Sequence, residues 1–100
     1  MKQFRHGDLL LHEVLQIPEG CQENPDGVLL EGEHTGHAHR VAPGARVLTN
    51  ERGIRYVQVL QPTPLSHEEH HTIELPVGLY QVVRQREFSG ESGTMHWVTD

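Results

Sequence analysis

The chain carries one cysteine, five aromatic residues and no run of lysine or arginine. A lone cysteine excludes an internal disulfide and suits a reducing compartment, so the expected location is cytoplasmic. Cys21 lies in the acidic, turn-rich stretch Pro18-Glu19-Gly20-Cys21-Gln22-Glu23, a poor setting for a nucleophile. The opening Met1-Lys2-Gln3-Phe4-Arg5-His6 lacks the apolar stretch of a secretory signal. No segment approaches the about 20 apolar residues of a membrane-spanning helix. Eight basic residues stand against fourteen acidic ones, a formal charge of −6. Without a basic stripe, duplex DNA is excluded as a partner. A local site for a phosphate or a single strand stays open, because Arg40, Arg46, Arg52, Arg55, Arg84 and Arg86 can gather in the fold. Tyr56, Tyr80, Phe88 and Trp97 are too scattered for a base-stacking ladder and read as core or interface residues.

A sustained 3.6-residue apolar period is also missing, and with it any long amphipathic helix. Short apolar segments alternate with glycine and proline instead. Strands are expected over Leu9–Val14, Val28–Glu31, His37–Val41, Arg46–Leu48, Ile54–Leu60, Thr72–Leu75, Gly78–Phe88 and Met95–Val98. Pro25-Asp26-Gly27 and Asn50-Glu51-Arg52-Gly53 are turn signals, and Pro62 and Pro64 are expected to break the chain. The expectation is one all-β domain over residues 1–100, a small barrel or sandwich of about seven or eight short strands. Hydrophobic residues make up 35% of the chain. A homo-oligomer or a bound metal could supply the stability that so thin a core lacks, though composition alone requires neither.

What the chain does have is histidine. Six of its nine histidines fall in two windows, Glu33-His34-Thr35-Gly36-His37-Ala38-His39 and Ser66-His67-Glu68-Glu69-His70-His71. Imidazole both binds metals and exchanges protons near neutral pH. On a strand, His37 and His39 share one face, with Ala38 and Arg40 on the other. His67, Glu68 and His71 match His-Glu-x-x-His in form, but the flanking Pro64 and the strand-like Thr72–Pro76 leave room for one helical turn at most. The better reading is a turn that carries His67 and His70, with Glu68 or Glu69, to the His37/His39 strand.

Such a set suits a divalent transition metal such as zinc, manganese, iron or nickel, held by His37, His39, His67 and His70. A metal-activated water with Glu69 or Glu68 moving the proton would make a hydrolase for phosphodiesters or another ester-like bond. Two alternatives stand beside this. One is a non-catalytic metal-binding or assembly module. The other is metal-free acid–base cleavage of RNA or a cyclic nucleotide, with Arg40 or Arg86 stabilising the charge that builds up. The substrate class is a small molecule or a single-stranded nucleic acid. His6, His12 and His96 read as exposed or hydrogen-bonded structure. Arg86 and Glu87 read as a solvated strand edge, with an inward-facing Gln85 or Glu87 that orients a histidine as the alternative.

The motifs Gly7-Asp8-Leu9-Leu10-Leu11, Glu31-Gly32-Glu33-His34-Thr35-Gly36-His37-Ala38-His39-Arg40, His67-Glu68-Glu69-His70, Leu75-Pro76-Val77-Gly78-Leu79-Tyr80-Gln81-Val82 and Gln85-Arg86-Glu87-Phe88 cover much of the length. In these the chain resembles a family of small, mostly uncharacterised bacterial and phage proteins. The resemblance implies a shared fold and no particular activity. The family often carries another residue where this chain has His34, which leaves His37, His39, His67 and His70 as the stronger candidates. His-x-His on a strand also invites comparison with cupins, but no histidine follows Pro76-Val77-Gly78 at the cupin spacing.

Overall fold

The computed structural model describes residues 1–32, 35–84, 86–88 and 95–97, with side chains described through residue 84. His34 therefore lies outside the described residues, as do the side chains of Arg86, Glu87 and His96. The described residues form twelve strands and no helix: β1 (Gln3–His6), β2 (Leu9–Glu13), β3 (Gln22–Asn24), β4 (Val28–Glu31), β5 (Ala38–Val41), β6 (Ala45–Thr49), β7 (Arg55–Val59), β8 (Thr63–Ser66), β9 (Ile73–Leu75), β10 (Gly78–Arg84), β11 (Arg86–Phe88) and β12 (Met95–Trp97).

Two antiparallel sheets carry the architecture, one of six strands ordered β1-β2-β10-β7-β6-β3 and one of four ordered β4-β5-β8-β9. β11 and β12 form a separate two-stranded pair. The arrangement is a sandwich-like all-β fold and not a closed barrel. Leu9 and Leu11 from one sheet and Leu29, Leu65 and Leu75 from the other belong to one buried cluster with Val47, Val57, Val59 and Tyr80. Alternation explains their choice. In β2 the buried residues are Leu9 and Leu11, and in β8 they are Thr63 and Leu65, two apart on one face in each case. Tyr80 is fully buried, packs edge to face on Phe4 at 5.6 Å, and donates its hydroxyl proton to the Pro76 carbonyl at 2.9 Å. A buried phenol needs such a partner.

Three strands escape the apolar pattern. β1 is a mostly polar edge strand, placed by its hairpin with β2 through the Gly7-Asp8 turn. β3 has no apolar residue and pairs only with β6, where edge strands gain from polarity. β8 contains Pro64, which was expected to break the chain. Pro64 is exposed and has no N–H to place, while its carbonyl accepts from the Ala42 amide at 3.2 Å, so the strand tolerates it.

Two features of this topology position the histidines. The β1–β2 hairpin puts His6 and Asp8 on either side of a tight turn. The pairing of β5 with β8, with Arg40 opposite Ser66, brings the start of the second histidine window alongside the first.

Candidate functional site

Five imidazoles gather where β1, β5 and the turn after β8 meet. His39 lies at the centre, 98% removed from solvent. Its ring centroid is 4.9 Å from His6, 4.4 Å from His67 and 5.8 Å from His70, and it stacks nearly parallel on His70. His67 lies 4.5 Å from His70 and 5.7 Å from His37. The two windows thus meet, and His6 joins them. His37 precedes β5, and the local alternation is irregular: Ala38 and His39 are both buried, while Arg40 is exposed. Gly36 holds the backbone at φ +73° just before His37, a conformation that glycine adopts without strain.

The partners of each ring fix its tautomer. His37 Nδ1 lies 3.1 Å from a Glu69 carboxylate oxygen. The pair is an ion-pair contact and not an aligned hydrogen bond, and the negative charge beside Nδ1 favours the tautomer with hydrogen on Nδ1 and a lone pair on Nε2. The Glu69 backbone amide donates to His67 Nδ1 at 3.0 Å. There Nδ1 accepts, so neutral His67 carries its hydrogen on Nε2. Glu69 therefore sets opposite tautomers on two neighbouring rings. His37 presents a base and His67 presents a donor.

Glu68 acts differently. Its carboxylate accepts from the Ala38 amide at 2.9 Å and pairs with Arg40 at 3.7 Å. The Ala38 hydrogen bond, followed by one from its own backbone amide, holds the Glu68 carboxyl below the usual carboxylate range. The residue fastens the turn to β5. Ala38, Arg40, Ser66, His67 and Glu68 line an open depression of about 290 Å³.

Beneath this pair runs a buried polar chain. His6 Nε2 donates to the His71 carbonyl at 2.6 Å, and His39 Nε2 lies 3.2 Å from Asp8. The two Nδ1 atoms face each other at 2.8 Å. Carbonyl and carboxylate both accept, so both outer nitrogens carry hydrogens, and a good Nδ1–Nδ1 contact needs a third. Burial opposes that third proton. It is the largest influence pushing His39 down to about 4, helped by His67 and His6 and resisted by Asp8. His67 is pushed down too, first by burial and then by His70. Both rings are thus neutral at pH 7. Asp8 is held in turn by Arg84, whose Nε is 3.5 Å away.

His70 sits against the β1–β2 turn. A Cβ at Gly7 would stand 2.6 Å from His70 Nε2, and Gly7 has φ +64°. The left-handed backbone favours glycine, and any added carbon would push the His70 ring aside.

All four expected metal ligands are brought together, but both His39 nitrogens and the Nδ1 atoms of His37 and His67 already have other partners. Among the described residues, no group of three or more His, Cys, Asp or Glu side chains is arranged to hold a metal ion. Sequence reasoning missed His6 and Asp8. Their signal was the His6-Gly7-Asp8 turn itself, a glycine between polar residues at the mouth of an apolar strand. His12 is half-buried and pairs with Gln3 at 2.9 Å, while His71 contributes its carbonyl.

Fold and site define a β-sandwich with a histidine cluster where its two sheets meet. A family profile described as a domain of unknown function, DUF8820, matches residues 5–85, and the chain belongs to that family. No curated protein and no solved structure matches it. Among the described residues, no helix is long and apolar enough to cross a membrane.

Proposed function

We propose that the chain is a small hydrolase for a phosphodiester or another ester-like bond, working through His37 and His67. One observation carries this reading: Glu69 orients both rings, one as a base and one as a donor. A carboxylate beside Nδ1 favours the tautomer that leaves Nε2 as a base, and closing the 3.1 Å contact into a hydrogen bond would complete an activated general base. A neutral imidazole that donates from Nε2 can polarise an oxygen without becoming charged.

In the proposed step, His37 Nε2 takes a proton from water, and the oxygen of that water bonds to the phosphorus or carbonyl carbon. The charge that develops on the substrate oxygen is met by His67 Nε2–H. The bond to the leaving oxygen then breaks, and His37 returns its proton to that oxygen. Arg40, beside the depression, supplies positive charge for an anionic substrate on a chain that is otherwise acidic. Substrates that fit are small phosphodiesters, cyclic nucleotides and single-stranded RNA. A reducing, cytoplasmic setting suits the single cysteine.

The test is a panel of phosphodiesters and carboxylic esters, assayed with protein treated with a chelator. Turnover should survive the chelator and be lost in His37→Ala. No turnover on any substrate, or full activity in His37→Ala, contradicts the reading.

A second reading has its own support. The Nδ1 lone pairs of His6 and His39 converge, and each ring's outer N–H is held by an acceptor, the usual orientation for metal-bound histidines. A divalent metal taking the place of the third proton would make the site metal-dependent or structural. Nitrogen ligands of one tetrahedral zinc lie roughly 3.3 Å apart, given bonds of about 2.0–2.1 Å, so the rings would need to part slightly. Metal analysis of untagged protein separates the two. A stoichiometric metal, with turnover lost to chelator while the fold stays intact, favours this second reading.

A further inference from the structure

Positive charge is scarce around the His37–His67 pair. Among the described residues, Arg40 is the one cation lining the depression, and the Glu68 carboxylate lies 3.7 Å from it. Glu69 stands 3.1 Å from His37 Nδ1, and that ring is its one ion-pair partner among the described residues. Beneath them Asp8 and Arg84 face each other at 3.5 Å and cancel. The other cations are engaged elsewhere. Arg5 donates to the Gly7 carbonyl, Arg46 pairs with Glu23, and Arg55 donates to the Val28 carbonyl. Lys2, the only lysine, lies opposite Glu13 at the open end of the β1–β2 hairpin, away from the His6-Gly7-Asp8 turn. Neutral imidazoles add no charge. One carboxylate at the pair is therefore left uncompensated.

We propose that this arrangement is a charge filter set by Glu68 and Glu69: the site takes phosphodiesters and uncharged esters and refuses phosphomonoesters. The inference rests on the proposed hydrolase and names its substrate class. A diester is a monoanion, and Arg40 can meet a single charge. A monoester carries about −1.5 to −2 at pH 7, and its second charge meets Glu68 and Glu69. Like charges set side by side oppose binding. The contacts that place the two carboxylates are shorter than the Debye length of about 8 Å at physiological ionic strength, so salt there screens the repulsion only in part.

The filter acts on the product as well. In diester hydrolysis the oxygen of water bonds to phosphorus, the bond to the leaving oxygen breaks, and that oxygen takes the proton held by His37. What remains is a monoester, which ionises a second time near a pH of about 6. The site repels what it has made, so each diester is cut once. Removal of the terminal phosphate falls to a separate reaction of the phosphomonoesterase class.

Inhibition kinetics on the full chain test it, at a pH of about 8 and with any ester turned over in the panel as reporter. Dimethyl phosphate should compete with the reporter, and methyl phosphate should need at least roughly tenfold more. Raising salt from about 0.05 M to about 0.5 M should close most of that gap, which a purely structural role for the carboxylates would not do. Glu68→Gln keeps an oxygen for the Ala38 amide. It should lower the inhibition constant of methyl phosphate at least roughly threefold and leave that of dimethyl phosphate within about twofold. If Glu68→Gln does not fold, the salt series on the wild-type chain decides. Equal inhibition by the two phosphates, no inhibition by dimethyl phosphate, or a gap that salt leaves unchanged overturns the filter while the hydrolase stands. No turnover of any ester removes the hydrolase and the filter with it.

Discussion

His37 and His67 stand edge to face, ring centroids 5.7 Å apart, and a single residue orients both. The Glu69 carboxylate lies in ion-pair contact with one ring and the Glu69 amide donates a hydrogen bond to the other, so moving that turn affects both rings together.

The side chain of Glu69 can nevertheless be removed without its amide. Glu69→Ala should free His37 and leave His67 with its donor. Its kcat should fall at least tenfold, while His37→Ala should fall by about 10²–10⁴. Steady-state kinetics on any substrate found in the panel checks this. Because Glu69 is well exposed, the melting temperature of Glu69→Ala should stay close to wild type.

His6→Ala should cost stability. It removes the donor to the His71 carbonyl and leaves a cavity beside His39 inside the fold. Stranding buried polar groups costs about 1–3 kcal/mol. Urea unfolding measures it, and an unchanged midpoint would show that the buried chain contributes nothing.

Gly7→Ala should disturb the same region from the turn. The added carbon meets His70, and the backbone must hold a left-handed conformation. The conformation alone costs roughly 1–2 kcal/mol. For a domain of this size that is a fall in melting temperature of about 4–16 °C. Thermal melts followed by circular dichroism give the answer.

Stability should also depend on pH with a definite sign. His39 is pushed below its ordinary 6.5 to about 4 in the folded chain. As pH falls through 6.5 the unfolded chain binds a proton that folded His39 refuses, so stability drops. The loss from His39 runs between about pH 6.5 and 4 and then levels. His39→Gln should flatten that part of the stability profile measured by denaturant titration.

The sequence makes much of this legible because its turns are strongly marked. Gly and Pro bound the strands, and two histidine windows separated by such strands can meet, as they do through the β5–β8 pairing. Long-range pairing is not written in any local window. β10 lies between β2 and β7, with Val82 opposite Leu11 and Tyr80 opposite Val57, and no local spacing announces it. His6 and Asp8 were hidden for a related reason. β1 has too little apolar alternation to read as a strand, so the His6-Gly7-Asp8 turn was the one local signal and it did not say which way His6 faces. The role of Glu69 was hidden more deeply, because its amide matters as much as its carboxylate.

The most direct test of the central claim is the tautomeric state of the rings in the folded protein at pH 7, read by long-range ¹H–¹⁵N correlation of the imidazole nitrogens. The account predicts hydrogen on Nδ1 of His37 and on Nε2 of His67, with the His37 signal changing in Glu69→Ala. Hydrogen on the same nitrogen of both rings would contradict it.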